Sequence, residues 1–191
     1  MDTFYNFMNS IYPLSDNVLN LLLENMKEEE FKKGEFLIRE NEYNKNTYFM
    51  LSGFARVFSL IENKEQVAWF VKPQQFVTYN LGIPYNRRSL VSIQFIENSK
   101  LLSISREKFE KLLLEDIELS TWSRKYLEIV IYELELFFTS SFFMDATKQY
   151  EDILRKESEL VQKVPLKYLA SYLNIAPESL SRIRAKLTKK K

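Results

Sequence analysis

Between Gly34 and Ser105 the chain runs in short β-rich segments that break about every ten residues. They are Glu35–Arg39, Thr47–Leu51, Ala55–Ile61, Gln66–Val71, Phe76–Thr78, Leu90–Ile96 and Lys100–Ser105, each closed by Asn, Gly, Pro or charge. Several alternate, as in Val91-Ser92-Ile93-Gln94-Phe95, where every second residue is apolar. A period of two places successive side chains on opposite faces of a strand. Strands this short and evenly spaced predict a closed or sandwiched antiparallel unit and not a parallel βαβ sheet. The glycines agree. There are 3, and Gly34, Gly53 and Gly82 stand too far apart for a GxGxxG turn or a P-loop.

Helical periodicity flanks the β-rich stretch on both sides. Residues from about 4 to 30 read as helical, with Ser15-Asp16 as a cap and Val18, Leu19, Leu22, Leu23 and Met26 as the apolar face. Arg106–Asp116 reads as a short helix, and Ile117 to about Met144 as a long one. In the long helix Leu127, Val130, Leu134 and Phe137 form a heptad-like seam, broadened by Ile131 and Phe138, with Tyr126, Ile129 and Leu136 on another side. A helix apolar over so much of its surface needs cover on two sides. The β unit supplies one. The other is a second copy of the same helix, or else the helix is buried within a monomer. Asp145 to about Ser158 reads as a further helix with Ala146, Tyr150, Ile153 and Leu154 inward.

Two missing residue types remove whole classes of function. The chain has no cysteine and no histidine. Disulfide scaffolds, Cys/His zinc sites, iron–sulfur clusters, cysteine nucleophiles and Ser–His–Asp triads therefore all fall away. Nothing arranges a nucleophile, and Glu133 and Glu135 sit two apart on different helix faces. The expectation is a non-enzyme. No basic, apolar leader and no long uncharged apolar run is present, so a cytoplasmic protein without a membrane segment is expected.

Charge is nearly balanced overall, at +1, but unevenly placed. The segment 158–191 carries Lys163, Lys167, Arg182, Arg184, Lys186 and Lys189–Lys191 against only Glu159 and Glu178, so the rest of the chain is net acidic. A basic end on an acidic chain suggests a polyanion partner for that end alone, or a solvated lysine tail.

The same segment has a layout. Pro165 suits the first position of a helix whose apolar face is Leu166, Leu169, Ala170 and Leu173. Asn174 tolerates the left-handed conformation that ends it, and Ile175 tucks under the turn. Pro177 restarts a helix with Leu180, Ile183 and Leu187 inward and Glu178, Ser179, Ser181, Arg182, Arg184 and Lys186 outward. Helix, tight turn, helix and a basic outer surface read as a helix-turn-helix, with a plain αα-hairpin as the alternative. In such a unit Glu178, Ser179, Ser181 and Arg182 are the base-reading candidates. Lys167, Arg184 and Lys186 are the phosphate candidates.

With these residues in view, the sequence resembles the Crp/Fnr family of transcription regulators over nearly its whole length. Glu178…Ser181-Arg182 is similar to the family's base-reading E-x-x-S-R pattern. Phe31-Lys32-Lys33-Gly34-Glu35…Asn41-Glu42…Tyr48-Phe49-Met50-Leu51-Ser52-Gly53-Phe54-Ala55-Arg56-Val57 resembles the opening strands of its cyclic-nucleotide-binding roll. The ending resembles a divergent branch common in Bacteroidetes-type bacteria. The resemblance implies an α+β fold. An N-terminal antiparallel β-roll (a jelly roll, cupin-like) and a dimerisation helix at about 117–144 make up residues 1–144. An all-α helix-turn-helix domain follows at 145–191. It implies a homodimer on an inverted repeat of double-stranded DNA, with RNA polymerase as a further partner.

The effector pocket departs from the cyclic-AMP pattern. The family's Arg-Ser pair is present as Arg88-Ser89, but its Gly-Glu pair aligns with Thr78-Tyr79. A tyrosine does not replace the carboxylate that accepts from the ribose, and threonine lacks the freedom of glycine. The pattern argues against cyclic AMP as cofactor and leaves another small effector or a ligand-independent roll. Trp69, Tyr79 and Tyr85 either fill the roll or line it. The competing reading of the whole chain is a small-ligand module whose helical tail contacts a protein partner.

Overall fold

A computed structural model describes residues 2–77 and 88–188. Two helices open the chain, α1 (Asp2–Ile11) and α2 (Asp16–Glu24). Among the described residues eight strands follow: β1 (Lys27–Phe31), β2 (Phe36–Ile38), β3 (Asn46–Ser52), β4 (Ala55–Ile61), β5 (Lys64–Val71), β6 (Gln75–Phe76), β7 (Ser92–Phe95) and β8 (Ser99–Ser105). They form two four-stranded antiparallel sheets, in the orders β1-β8-β3-β6 and β2-β7-β4-β5. The roll is the expected antiparallel unit, and β4 spans the residues read from the sequence. Its hairpin to β5 turns on Glu62 and Asn63, at φ 50 and 61. Positive φ at both central residues matches the twist of paired strands. Gly53, at φ 96, sits where a Cβ would meet the Ser99 backbone at 2.7 Å, so no larger residue fits there without a shift.

The expected helix from about 4 to 30 is corrected at its end. Lys27–Phe31 is a strand, β1, paired to β8 from Lys27↔Ser103 to Phe31↔Ser99. Lys100 on β8 lies between Glu28 and Glu30, at 3.6 and 2.6 Å, and so compensates the acidic run across the strands.

Helices α3 (Arg106–Glu115) and α4 (Ile117–Phe143) lead out of the roll. The Ser105 side chain caps α3 by accepting from Lys108 N, and Asp116 caps α4 by accepting from Leu119 N at 2.8 Å. The first half of α4 buries Leu119, Trp122, Tyr126 and Val130, with helical spacing. These pack with Phe4 and Met8 of α1 and with Phe49, Phe76 and Leu102 of the roll into one core. Tyr126 therefore shares the face of Val130, from which it is one helical turn away, and is not on the other side that the seam spacing suggests. Beyond that point the helix opens. Leu127 and Leu134 are each 40% exposed and Ile131 is 59% exposed.

Four helices complete the chain: α5 (Ala146–Lys156), α6 (Ser158–Lys163), α7 (Leu166–Tyr172) and α8 (Pro177–Thr188). They do not hang free of the roll. Phe54, Phe58, Val67, Phe70 and Ile96 of the roll share one buried cluster with Leu160, Val164, Leu169, Ala170 and Leu173. No helix among the described residues is long and apolar enough to cross a membrane.

Candidate nucleic-acid interface and effector cavity

The turn between α7 and α8 is built by backbone hydrogen bonds. Asn174 takes φ 54. Its N–H donates to Ser171 O, and Ile175 N donates to Ala170 O, each at 3.0 Å. This is the paired closure of a Schellman motif, with Ile175 over the end of the helix. The buried Leu169, Ala170 and Leu180 lock the two helices together. Pro165 stands one position before the helix, as its cap, and Pro177 opens α8.

The outer face of α8 carries Glu178, Ser181, Arg182 and Lys186, all exposed. Ser179 is half-buried and its hydroxyl accepts from Arg182 Nη2 at 3.1 Å, which fixes the arginine along the helix. One phosphate candidate, Arg184, is placed differently from expectation. Arg184 follows the buried Leu180 by one turn and so lies on the inner side of α8. Its guanidinium carbon is 5.5 Å from the Tyr150 ring centroid, and its Nε and Nη2 are buried with no hydrogen-bond acceptor among the described residues. Lys167 is exposed, but its ammonium lies 4.7 Å from the Tyr168 ring and its charge acts on Glu65 of the roll. Lys189–Lys191 lie outside the described residues.

A polar seam fastens α7 to the edge strand β5. The Ser171 hydroxyl accepts from Val67 N and donates to Glu65 O, both at 3.0 Å, and Gln66 Nε2 donates to Ser171 O. Beside it Arg56, 3% exposed, forms a two-pronged pair with Glu65 at 2.6 and 2.9 Å. Gln94 Oε1 accepts from the same guanidinium, which is stacked 4.0 Å from both the Phe58 and Tyr168 rings. The hydrogen bond from Arg56 holds the Glu65 carboxyl below its ordinary value. In the sequence Arg56 stands out only as part of a motif. Its type and position give no sign that it bridges roll and helix.

A second feature lies between the roll and α4. It is a cavity of about 190 Å³, with Val57, Trp69, Phe76, Val130, Leu134 and Phe137 among its walls. Three of the four seam residues, Val130, Leu134 and Phe137, thus reach toward their own roll. Val130 is buried there, and Phe137 meets Trp69 edge-on at 5.7 Å. Phe137 also lies 6.1 Å from Tyr172 of α7. Burial pushes the Tyr172 phenol up to about 12. Trp69 lines the cavity as well as packing.

The expected phosphate anchor is elsewhere. Arg88 Nη1 donates to Asn41 O at 3.1 Å, and its guanidinium lies 5.0 Å from the Tyr43 ring. Ser89 is fully buried, with its hydroxyl donating to Val91 O. Neither lines the cavity. Thr78, Tyr79 and Tyr85 lie outside the described residues.

Residues 28–116 match the cyclic nucleotide-binding domain family. No curated protein sequence matches the chain. Among solved structures, FixK2 from Bradyrhizobium japonicum is 16% identical, with a TM-score of 0.74 over 86% of this chain and 85% of that one. The c-di-GMP responsive global regulator CLP of Xanthomonas campestris is 18% identical, with a TM-score of 0.66 over 92% of this chain and 93% of its own. The catabolite activator protein of Thermus thermophilus is 16% identical, with a TM-score of 0.58 over 94% and 86%. The chain has the fold of the Crp/Fnr regulators, with the cyclic nucleotide-binding match confined to residues 28–116.

Proposed function

We propose that the chain is a dimeric, sequence-specific DNA-binding transcription regulator. Residues 145–191 form its DNA-binding domain, and residues 1–144 its sensor and dimerisation domain. One observation carries the reading. The Schellman turn at Asn174 holds α8 with Glu178, Ser181 and Arg182 in a row on its exposed face. Polar groups at the start of a second helix, after a tight turn, are what a major groove requires. Arg182 suits guanine O6/N7, and Glu178 suits a cytosine amino group. Ser179 sets the arginine, while Lys186 and Lys167 meet phosphates. Arg184 joins them only by leaving the Tyr150 ring, which its Nε and Nη2, without an acceptor among the described residues, make inexpensive.

Leu127, Ile131 and Leu134 leave an apolar strip along α4 that suits a second copy of the helix. A two-fold pairing there would set the two α8 helices one DNA turn apart, about 34 Å. The solved structures of similar fold, which include a global regulator and a catabolite activator, support this reading.

Two variants test it. Arg182→Ala should weaken binding to a selected site by roughly 1–3 kcal/mol and relax preference at one base pair per half-site. Quantitative affinity measurements on single-base site variants read this. An unchanged preference would remove Arg182 from base reading. Ile131→Glu, placed on an exposed position, should turn a dimer into a folded monomer by light scattering and lower DNA affinity by at least about tenfold. A dimer unaffected by this change would place the interface elsewhere.

A further inference from the structure

At the edge of the roll one side chain takes the place of a strand. β5 ends its sheet, with β4 on its inner side. An edge strand presents a row of N–H and C=O groups outward. Two neighbours in that row, Val67 N and Glu65 O, both go to the Ser171 hydroxyl of α7. It accepts from the first and donates to the second, each at 3.0 Å. A hydroxyl can do both because it carries a donor and two acceptor lone pairs. The Ser171 carbonyl is shared as well. It accepts from Gln66 Nε2 of β5 and from Asn174 N, the bond that closes the turn into α8. The residue that holds the roll therefore also sets the direction of α8.

The contacts around Ser171 differ from it in kind. Phe70 meets Tyr172 at 5.5 Å, and Leu169 and Ala170 share a buried cluster with Phe58 and Val67. Apolar burial is non-directional and tolerates sliding or tilt. The ion pairs Lys163–Glu97 and Lys72–Glu157, at 3.2 and 3.0 Å, are partly open to water and adjust with their long side chains. Hydrogen bonds to a short side chain on a strand edge demand one distance and angle. Apolar packing thus holds α7 on β5, and Ser171 fixes where along the strand it sits.

We infer that Ser171 is a positioning residue that sets the spacing the dimer accepts between its two half-sites, while α8 reads the bases within each. The inference rests on the DNA-binding reading above. One base pair added between half-sites moves one of them by about 3.4 Å and turns it by about 34–36° around the DNA axis. Helix-turn-helix units held at fixed angles meet that change by twisting the DNA, at a cost in affinity. Units free to slide or tilt on β5 absorb it instead.

The test measures affinity for the selected inverted repeat and for duplexes with one base pair added or removed at its centre. The parent and Ser171→Thr, which keeps the hydroxyl, should lose at least about tenfold on either change. Ser171→Ala should lose less than about threefold, with the same base preference inside each half-site. Gln66→Ala removes a contact from the roll side and should shift the spacing penalty in the same direction, which covers the case of a Ser171→Ala chain that does not fold. Hydrogen exchange reads the seam without DNA: the Val67 N–H should exchange at least about tenfold faster in Ser171→Ala than in the parent. A spacing penalty that neither alanine variant changes would overturn the inference and leave the regulator intact. So would a Ser171→Ala chain whose base preference falls along with its spacing preference, since Ser171 would then merely support α8. A parent that selects no inverted repeat, with fast Val67 exchange in Ser171→Ala, would sink the regulator and the spacing role together and leave the seam alone.

Discussion

Replacing Trp122 by alanine is expected to destabilise the chain by about 3–5 kcal/mol. The indole is fully buried where α1, α4 and the roll meet. It stacks on Tyr126 at 5.1 Å and meets Phe76 edge-on at 5.7 Å, and its Nε1–H donates to Met8 O at 2.7 Å. Truncation opens a cavity ringed by stiff aromatic side chains that collapse poorly. Denaturant unfolding followed by circular dichroism measures the loss. Trp122→Phe should cost less, because one aromatic ring still fills most of the site and the loss is limited to part of the indole volume and its hydrogen bond. An alanine variant within about 1 kcal/mol of the parent would contradict this core.

The second large effect lies at the seam between roll and helices. Glu65→Ala leaves the Arg56 guanidinium buried with Gln94 as its remaining acceptor among the described residues. An unpaired buried charge should cost about 3 kcal/mol, at the low end of the usual range because Glu65 itself is half open to water. The double variant Glu65→Ala/Arg56→Leu should recover part of that loss, since it removes the stranded charge as well. Equal stability of single and double variants would show that Arg56 is not stranded. The pair also predicts a pH response. The Glu65 carboxyl is held low in the folded chain, so its stabilisation is complete above the ordinary carboxylate range and fades as pH falls through the lowered value. The seam should therefore loosen in acid. Tyr168 stacks on Arg56, so the orientation of α7 loosens with it.

Much of this arrangement is legible in the amino-acid sequence. The period-two runs locate the strands, and β4 reads to its residues because turn signals bound it at both ends. Asn174 marks the turn because few residues accept its backbone conformation. The first strand escapes such reading because Lys27-Glu28-Glu29-Glu30 carries no apolar alternation; its partner β8 alone makes it a strand. The apolar breadth of α4 is visible, but not which stripe meets the roll, because that depends on the angle at which the helix leaves α3. Charge alone places Arg184 outward, whereas its one-turn spacing from Leu180 decides its side. The cavity is illegible. It arises where β5, β6 and α4 converge, and Glu133 has no local pattern that marks it.

The measurement that bears most directly on the account is selection of binding sites from random-sequence duplex DNA by the purified full chain, with and without cyclic AMP. Recovery of an inverted repeat whose half-sites lie one helical turn apart, alike in both arms, is the predicted result. Recovery of no site, or of a site without two-fold symmetry, would contradict a dimeric regulator reading DNA through α8.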